Sequence, residues 1–249
     1  MRSVPLLPLV QPLYVSLPLP PLPFPFLIPI PITGYSQIDG NYGTMAGAMT
    51  LRGTPNDLIQ NLNPISIIIL IPIFDRLIYP GLRRLKIRFT PIKRIASGFF
   101  VISSAMVYAA VLQHNINITN PCAANGFAAT EGINEPSACV GDDEKPWHSP
   151  LNVWIIAGPY ILVGIGEIFA NITALEYAYQ KAPYRMKSVV MAFYQFQSAI
   201  SAAINFALTA VNTEPKFIWL FTSFAVVAFL TGIVFYITYV FSPSFFPFL

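Results

Sequence analysis

Charge is scarce in this sequence, and so are the side chains that do polar chemistry. Of 249 residues 10% are charged and 55% are hydrophobic, with two cysteines and two histidines. Each shortage excludes a class of protein. Cys122 and Cys139 cannot build a multi-cysteine metal centre or a disulfide-rich scaffold. His114 and His148 both lie in one polar loop, and no zinc spacing, Ser/His/Asp arrangement or Gly-rich phosphate loop accompanies them, so the chain does not read as an enzyme. The excess of 14 basic over 11 acidic residues is small and confined to short loops, which argues against a nucleic-acid partner. What the chain has instead is apolar runs of about 20 residues, long enough to cross a hydrocarbon layer of ~30 Å. The bilayer is the expected solvent.

Taken in order, residues 1–23 carry a proline every few positions, from Pro5 to Pro23, and no helix survives that. A polyproline segment has no internal hydrogen bonds and could not cross lipid, so this stretch is expected to be unstructured or foreign to the fold. Residues 24–241 read as a transmembrane helical bundle and residues 242–249 as a tail. The first span, about Phe24 to Leu51, is interrupted by Pro25, Pro29 and Pro31 and by polar Tyr35, Gln37, Asp39 and Asn41. The second runs from Pro64 to about Tyr79, kinks at Pro72 and meets charge at Asp75 and Arg76. The stretch from Arg76 to Arg94 then holds Arg83, Arg84, Lys86, Arg88 and Lys93 and no acid, the signature of a cytoplasmic loop.

A third span, Ile95 to about Gln113, leads to a polar outer loop over residues 114–149. That loop carries Glu131, Glu135, Asp142, Asp143 and Glu144 against one lysine, the glycosylation sequon at Asn117 and both cysteines. A Cys122–Cys139 disulfide is expected there, worth ~3 kcal/mol in the simple entropy model, with two unpaired thiols as the alternative. The fourth span, Leu151 to about Tyr177, contains Gly158, Gly164, Gly166 and Pro159, and the fifth and sixth run Val189–Val211 and Phe217–Phe241. The expected fold is all-α integral membrane with six transmembrane helices, the loop 114–149 outside.

The polar residues at membrane depth are the candidates for function. Glu167 lies past the middle of the fourth span, and an ionisable group there implies a role by its cost alone. It is a cation or proton site, or it pairs with a Lys or Arg; since no basic residue in these spans sits at its depth, a ligand, a proton or another helix bundle is expected opposite. Glu176, nearer the cytoplasm and in reach of Lys181, reads as structural, with proton coupling as the other possibility. Tyr194, Ser198, Ser201 and Asn205 recur at helical spacing and share one face, facing a wet cavity or a neighbouring helix.

The segments Gly166-Glu167, Leu175-Glu176-Tyr177-Ala178, Ala182-Pro183 and Met186-Lys187-Ser188, with TPNDLIQNLNP (Thr54–Pro64) and IFDRLIYP (Ile73–Pro80), resemble the proton-coupled oligopeptide transporters of the major facilitator superfamily, most closely the fungal ones. The resemblance covers about Gly34 to Phe235. It implies that the six spans correspond to helices 7–12, the carboxyl-terminal half of a major facilitator fold. It also implies proton-coupled uptake of di- and tripeptides across the plasma membrane, with protons as coupling ion and no other cofactor. By resemblance Glu167 faces the peptide amino terminus, and Asn41, Tyr35 and Gln37 belong to a peptide-binding motif; where the shared α-helical face opens on a cavity, Ser198 and Ser201 are the further substrate-binding candidates. Asn171 stands where the family often has a serine. The amino-terminal six-helix half, with its E-x-x-E-R motif, is expected as the missing partner, and an inactive half-bundle that associates with another chain is the alternative.

Overall fold

The computed structural model describes residues 41–51, 53–86, 89–120, 148–181, 187–208 and 217–241. The expectations for Tyr35, Gln37, Cys122, Cys139, residues 1–23 and the tail fall outside these. Most described residues are helical. A short helix α1 (Asn41–Gly47) leads into strand β1 (Met49–Thr50), which pairs in parallel with β2 (Ser149–Asn152). The long helices are α2 (Leu58–Arg84), α3 (Pro91–Thr119), α4 (Val153–Gln180), α5 (Lys187–Leu208) and α6 (Phe217–Phe241).

Among the described residues four helices are long and apolar enough to cross a membrane: α2, α3, α4 and α6 up to Thr238. Helix α5 has 22 residues, enough for a crossing, but Gln195, Gln197, Ser198, Ser201 and Asn205 dilute its hydropathy. Only the end of the expected first span, α1 and β1, is described. Two boundaries move. The second span does not stop near Tyr79, because its helix passes Asp75 and Arg76 in a π-helical turn at Phe74–Ile78 and continues to Arg84. The third extends to Thr119, so Asn117 is helical and not in the outer loop. Its polar last turn stays helical because Asn115 and Thr119 hydrogen-bond back to the carbonyls of Val111 and Asn115, and Gln113 donates to Asn117 at 2.9 Å.

Helix α3 is the hub, packed against α6 on one side and α4 on the other, while α2 packs on the far side of α4. One apolar cluster near the β pair joins Tyr42 and Met45 of α1 to Met106 and Ile116 of α3, Tyr160 of α4 and Phe221 of α6. A second, at the opposite end, gathers Ile92, Ile95 and Phe99 of α3 with Ala174, Tyr194 and Phe235. Between them the Ser103 hydroxyl donates to the Ala225 carbonyl at 2.7 Å, tying α3 to α6 at depth.

The α3–α4 contact is set by small residues. Lipid tails are as apolar as leucine, so helices in a bilayer associate through close backbone packing. A β-carbon on Gly98 would stand 2.6 Å from the Ala170 amide nitrogen, and one on Gly166 would stand 2.5 Å from Ile102 Cγ1. Helix α2 is at the rim, with Ile68 71% and Leu77 70% exposed, a face suited to lipid.

Replacing Gly98 by valine should therefore separate α3 from α4, costing ~1–3 kcal/mol or more by overpacking, and lower the melting temperature of the detergent-solubilised chain. Gly81→Ala, where a β-carbon would meet nothing within 4 Å, should leave that temperature unchanged or raise it slightly, since glycine in a helix costs ~0.5–1 kcal/mol against alanine. Equal behaviour of the two variants would refute the packing argument.

Candidate functional site

Glu167 ends the regular part of α4. The helix enters through a 3-10 turn at Val153–Ile156 capped by Asn152, whose side-chain oxygen accepts from the Trp154 amide at 3.1 Å. It is α-helical over Ala157–Glu167 and then widens into a π-helical turn at Ile168–Ile172. A π turn inserts an extra residue and frees a carbonyl from the regular ladder, and in an apolar setting that carbonyl needs another donor. Two hydroxyls serve: Thr173 donates to the Ile168 carbonyl at 3.1 Å, and Tyr194 of α5 donates to the Asn171 carbonyl at 2.9 Å. The Tyr194 hydroxyl also contacts the Asn171 side-chain oxygen, so the membrane-depth sequon at Asn171 is held by packing and hydrogen bonds.

The Glu167 side chain is buried, and its Oε2 accepts from Asn63 Nδ2 at 3.0 Å. The expectation of a ligand, a proton or a second bundle opposite Glu167 overlooked this donor. A carboxylate at this depth is met by a neutral amide as readily as by a basic residue. Asn63 sits near the start of α2, just before Pro64. The Ser66 hydroxyl satisfies the Asn63 carbonyl at 2.7 Å. Gly164, one turn before Glu167, makes the approach feasible: a β-carbon there would stand 2.6 Å from Ser66 Oγ and 3.4 Å from Asn63 Oδ1. Asn63 Oδ1 itself is buried without a hydrogen-bond partner among the described residues. The site thus presents a carboxylate and an amide oxygen side by side, a pair of acceptors suited to a cationic donor or a proton.

The π turn of α2 lies against that of α4. Phe74 and Phe169 meet edge to face with ring centroids 4.8 Å apart, and Phe89 packs on Phe169 at 5.9 Å. Pro72 removes a backbone donor two residues before Phe74, and the helix recovers by widening.

The remaining candidates are placed less centrally. Asn41 is buried on α1, which packs on the start of α2; a β-carbon on Gly43 would stand 2.5 Å from Gln60 Nε2. Ser201 is buried and Ser198 half-buried on the same α5 face as Tyr194, while Phe196, Ile200 and Phe206 point outward. The spacing argument for that face holds, and Gln197, also buried, belongs to it. Helix α5 meets α4 along Thr173–Lys181, beyond Glu167. Glu176 is exposed there and accepts from Gln180 at 2.9 Å, a local surface bond. Sequence reasoning missed Asn63, Ser66 and Gln197. The signal for Asn63 was present, because a polar residue just inside an apolar helix and beside proline needs a partner.

Comparison with known proteins agrees with this geometry. The family model "PTR2: POT family" matches residues 22–227. Peptide transporter PTR_C of Candidozyma auris is 41% identical over 205 residues, covering 81% of this chain and 33% of that protein. Peptide transporter PTR2 of Saccharomyces cerevisiae is 40% identical over 214 residues, covering 85% and 32%. The crystal structure of the POT family transporter PepTSo superposes with a TM-score of 0.66 at 20% identity, over 89% of this chain and 40% of that one, which shows a shared fold. The chain spans about a third of the length of the curated relatives it matches. With a match over most of its length, and with relatives at this identity, the chain belongs to the POT family.

Proposed function

We propose that the chain supplies the carboxyl-terminal half of a proton-coupled transporter of di- and tripeptides, its helices standing as helices 7–12 of a major facilitator fold, in the plasma membrane with the segment between α3 and β2 outside. The observation that carries this is the buried Glu167 carboxylate, which accepts from the neutral Asn63 amide and lies beside that residue's side-chain amide oxygen. A peptide brings an ammonium group, and an ammonium with three donors is satisfied by a carboxylate and an amide oxygen placed together. A proton on Glu167 discharges the same site when no peptide is bound. Buried Asn41 supports the reading as an amide able to meet varied peptide backbones, and Ser198 and Ser201 as small polar groups along a neighbouring wall; Tyr35 and Gln37 join by resemblance. Glu176, exposed and bonded to Gln180, is the weaker proton-coupling candidate. Alternating access needs a second bundle rocking about the site, so the partner of this half is six further helices.

The reading is tested in cells that lack peptide uptake, by the entry of a labelled dipeptide at acidic pH normalised to protein level. Glu167→Gln should reduce uptake by on the order of a hundredfold or more, since breaking a buried charge pair costs ~3–5 kcal/mol. Uptake indifferent to Glu167→Gln would reject the assignment, and no uptake by the unaltered chain would favour a half-bundle that does not transport.

Asn63→Leu removes a hydrogen bond to a charged group, worth ~1.5–3 kcal/mol, and should raise the apparent KM for dipeptide on the order of tenfold or more. Ser66→Ala, which loses only a bond to the Asn63 carbonyl, should change it by a few-fold at most. Equal effects of the two would argue against Asn63 as the holder of Glu167.

A further inference from the structure

The segment joining α2 to α3 concentrates positive charge that nothing in its own sequence neutralises. From Arg76 to Arg94 there is no acidic residue, and Arg83, Arg84, Lys86 and Lys93 are all exposed. Helix α2 has 27 residues, about 40 Å at roughly 1.5 Å per residue, which exceeds the ~30 Å hydrocarbon thickness. Its last turn therefore emerges at the headgroup layer, carrying Arg83 and Arg84 with it.

The backbone there closes with care. Leu85 N–H donates to the Gly81 carbonyl at 3.1 Å and Lys86 N–H to the Arg83 carbonyl at 3.0 Å, with Lys86 at φ 56°. That left-handed position usually goes to glycine or asparagine; here it presents a lysine. Beside it Leu85 is 71% exposed, an apolar side chain among cations. Lys93 stands in the first turn of α3, where a cation opposes the helix dipole. Arg94 is set apart from this group, its guanidinium lying 4.1 Å over the Tyr79 ring and 5.8 Å from that of Phe89. Four exposed cations, two of them in backbone positions that disfavour them, make this end of α2 a surface suited to anions.

We propose that Arg83, Arg84, Lys86 and Lys93, with Leu85 inserted between them, form a docking surface for the anionic phospholipid headgroups of the leaflet at which α2 ends. Each lysine or arginine close to an anionic membrane surface adds to its attraction, and the effect decays within a Debye length. The proposal requires that α2 and α3 span the bilayer; it does not depend on peptide transport.

The full chain, purified in neutral detergent, is mixed with equal phosphatidylserine and phosphatidylcholine, and the retained lipid is measured by mass spectrometry alongside the melting temperature. Phosphatidylserine should be retained in excess by on the order of tenfold or more, with a raised melting temperature, and high salt should abolish both. The combined variant Arg83→Gln, Arg84→Gln, Lys86→Gln, Lys93→Gln should lose the excess, while a variant with Arg83→Lys and Arg84→Lys keeps it. Equal retention of the two lipids by the unaltered chain would overturn the proposal. So would an excess that survives high salt or the glutamine substitutions, or an equal stabilisation by inorganic phosphate alone, which would mark a small-anion site. Should the glutamine variant fail to purify, the salt titration of the unaltered chain decides.

Discussion

A carboxylate at membrane depth has to be given hydrogen bonds by its surroundings, and the rest of this bundle is arranged around that demand. Glu167 obtains one from Asn63 of the neighbouring helix. Asn63 reaches it only because Gly164 leaves room for the start of α2, and α4 can sit between α2 and α3 only because Gly166, Gly98 and Ala170 let the other side close up as well. The glycines of α4 thus do on both faces what large side chains would prevent. Their helix-weakening cost is accepted at the point where the polar group must be approached.

The same demand explains why irregular backbone is concentrated next to Glu167. The π turn at Ile168–Ile172 frees carbonyls that lipid could not satisfy, and the hydroxyls of Thr173 and Tyr194 take them up. Through Phe169 and Phe74 this turn lies against the π turn of α2. Tyr194 also anchors α5, whose described contacts with the bundle are otherwise with the last turns of α4. Two helices and one polar site therefore share a few hydrogen bonds in a low-dielectric medium, where each is stronger and its loss more costly than in water.

Hydropathy alone made the helical membrane class and the approximate spans legible, and Glu167 announced itself by its rarity. The α5 face from Tyr194 to Ser201 was readable from helical spacing. Helix ends were not: Asp75 and Arg76 mark where charge begins but not where α2 stops, because long basic side chains extend along a helix toward water without breaking it. The polar last turn of α3 read as loop because side-chain bonds back to its own carbonyls keep Asn115 and Thr119 helical. Asn63 is hard to read from sequence for a different reason, since its amide is neutral and carries no charge to mark it as the partner of Glu167.

That neutrality is itself informative about how such a site can work. A lysine or arginine beside Glu167 would fix its charge and compete with any incoming ammonium, so the ligand would have to displace a strong ion pair. An asparagine amide donates one bond and holds the carboxylate in position without itself bringing a positive charge. Its own oxygen, buried beside Gly164, is then an acceptor for whatever donor arrives, whether a protonated carboxyl or an ammonium. A carboxylate held in this way can exchange one positive partner for another without its protein contacts being rebuilt, and proton-coupled transport of an amine-bearing substrate requires that exchange.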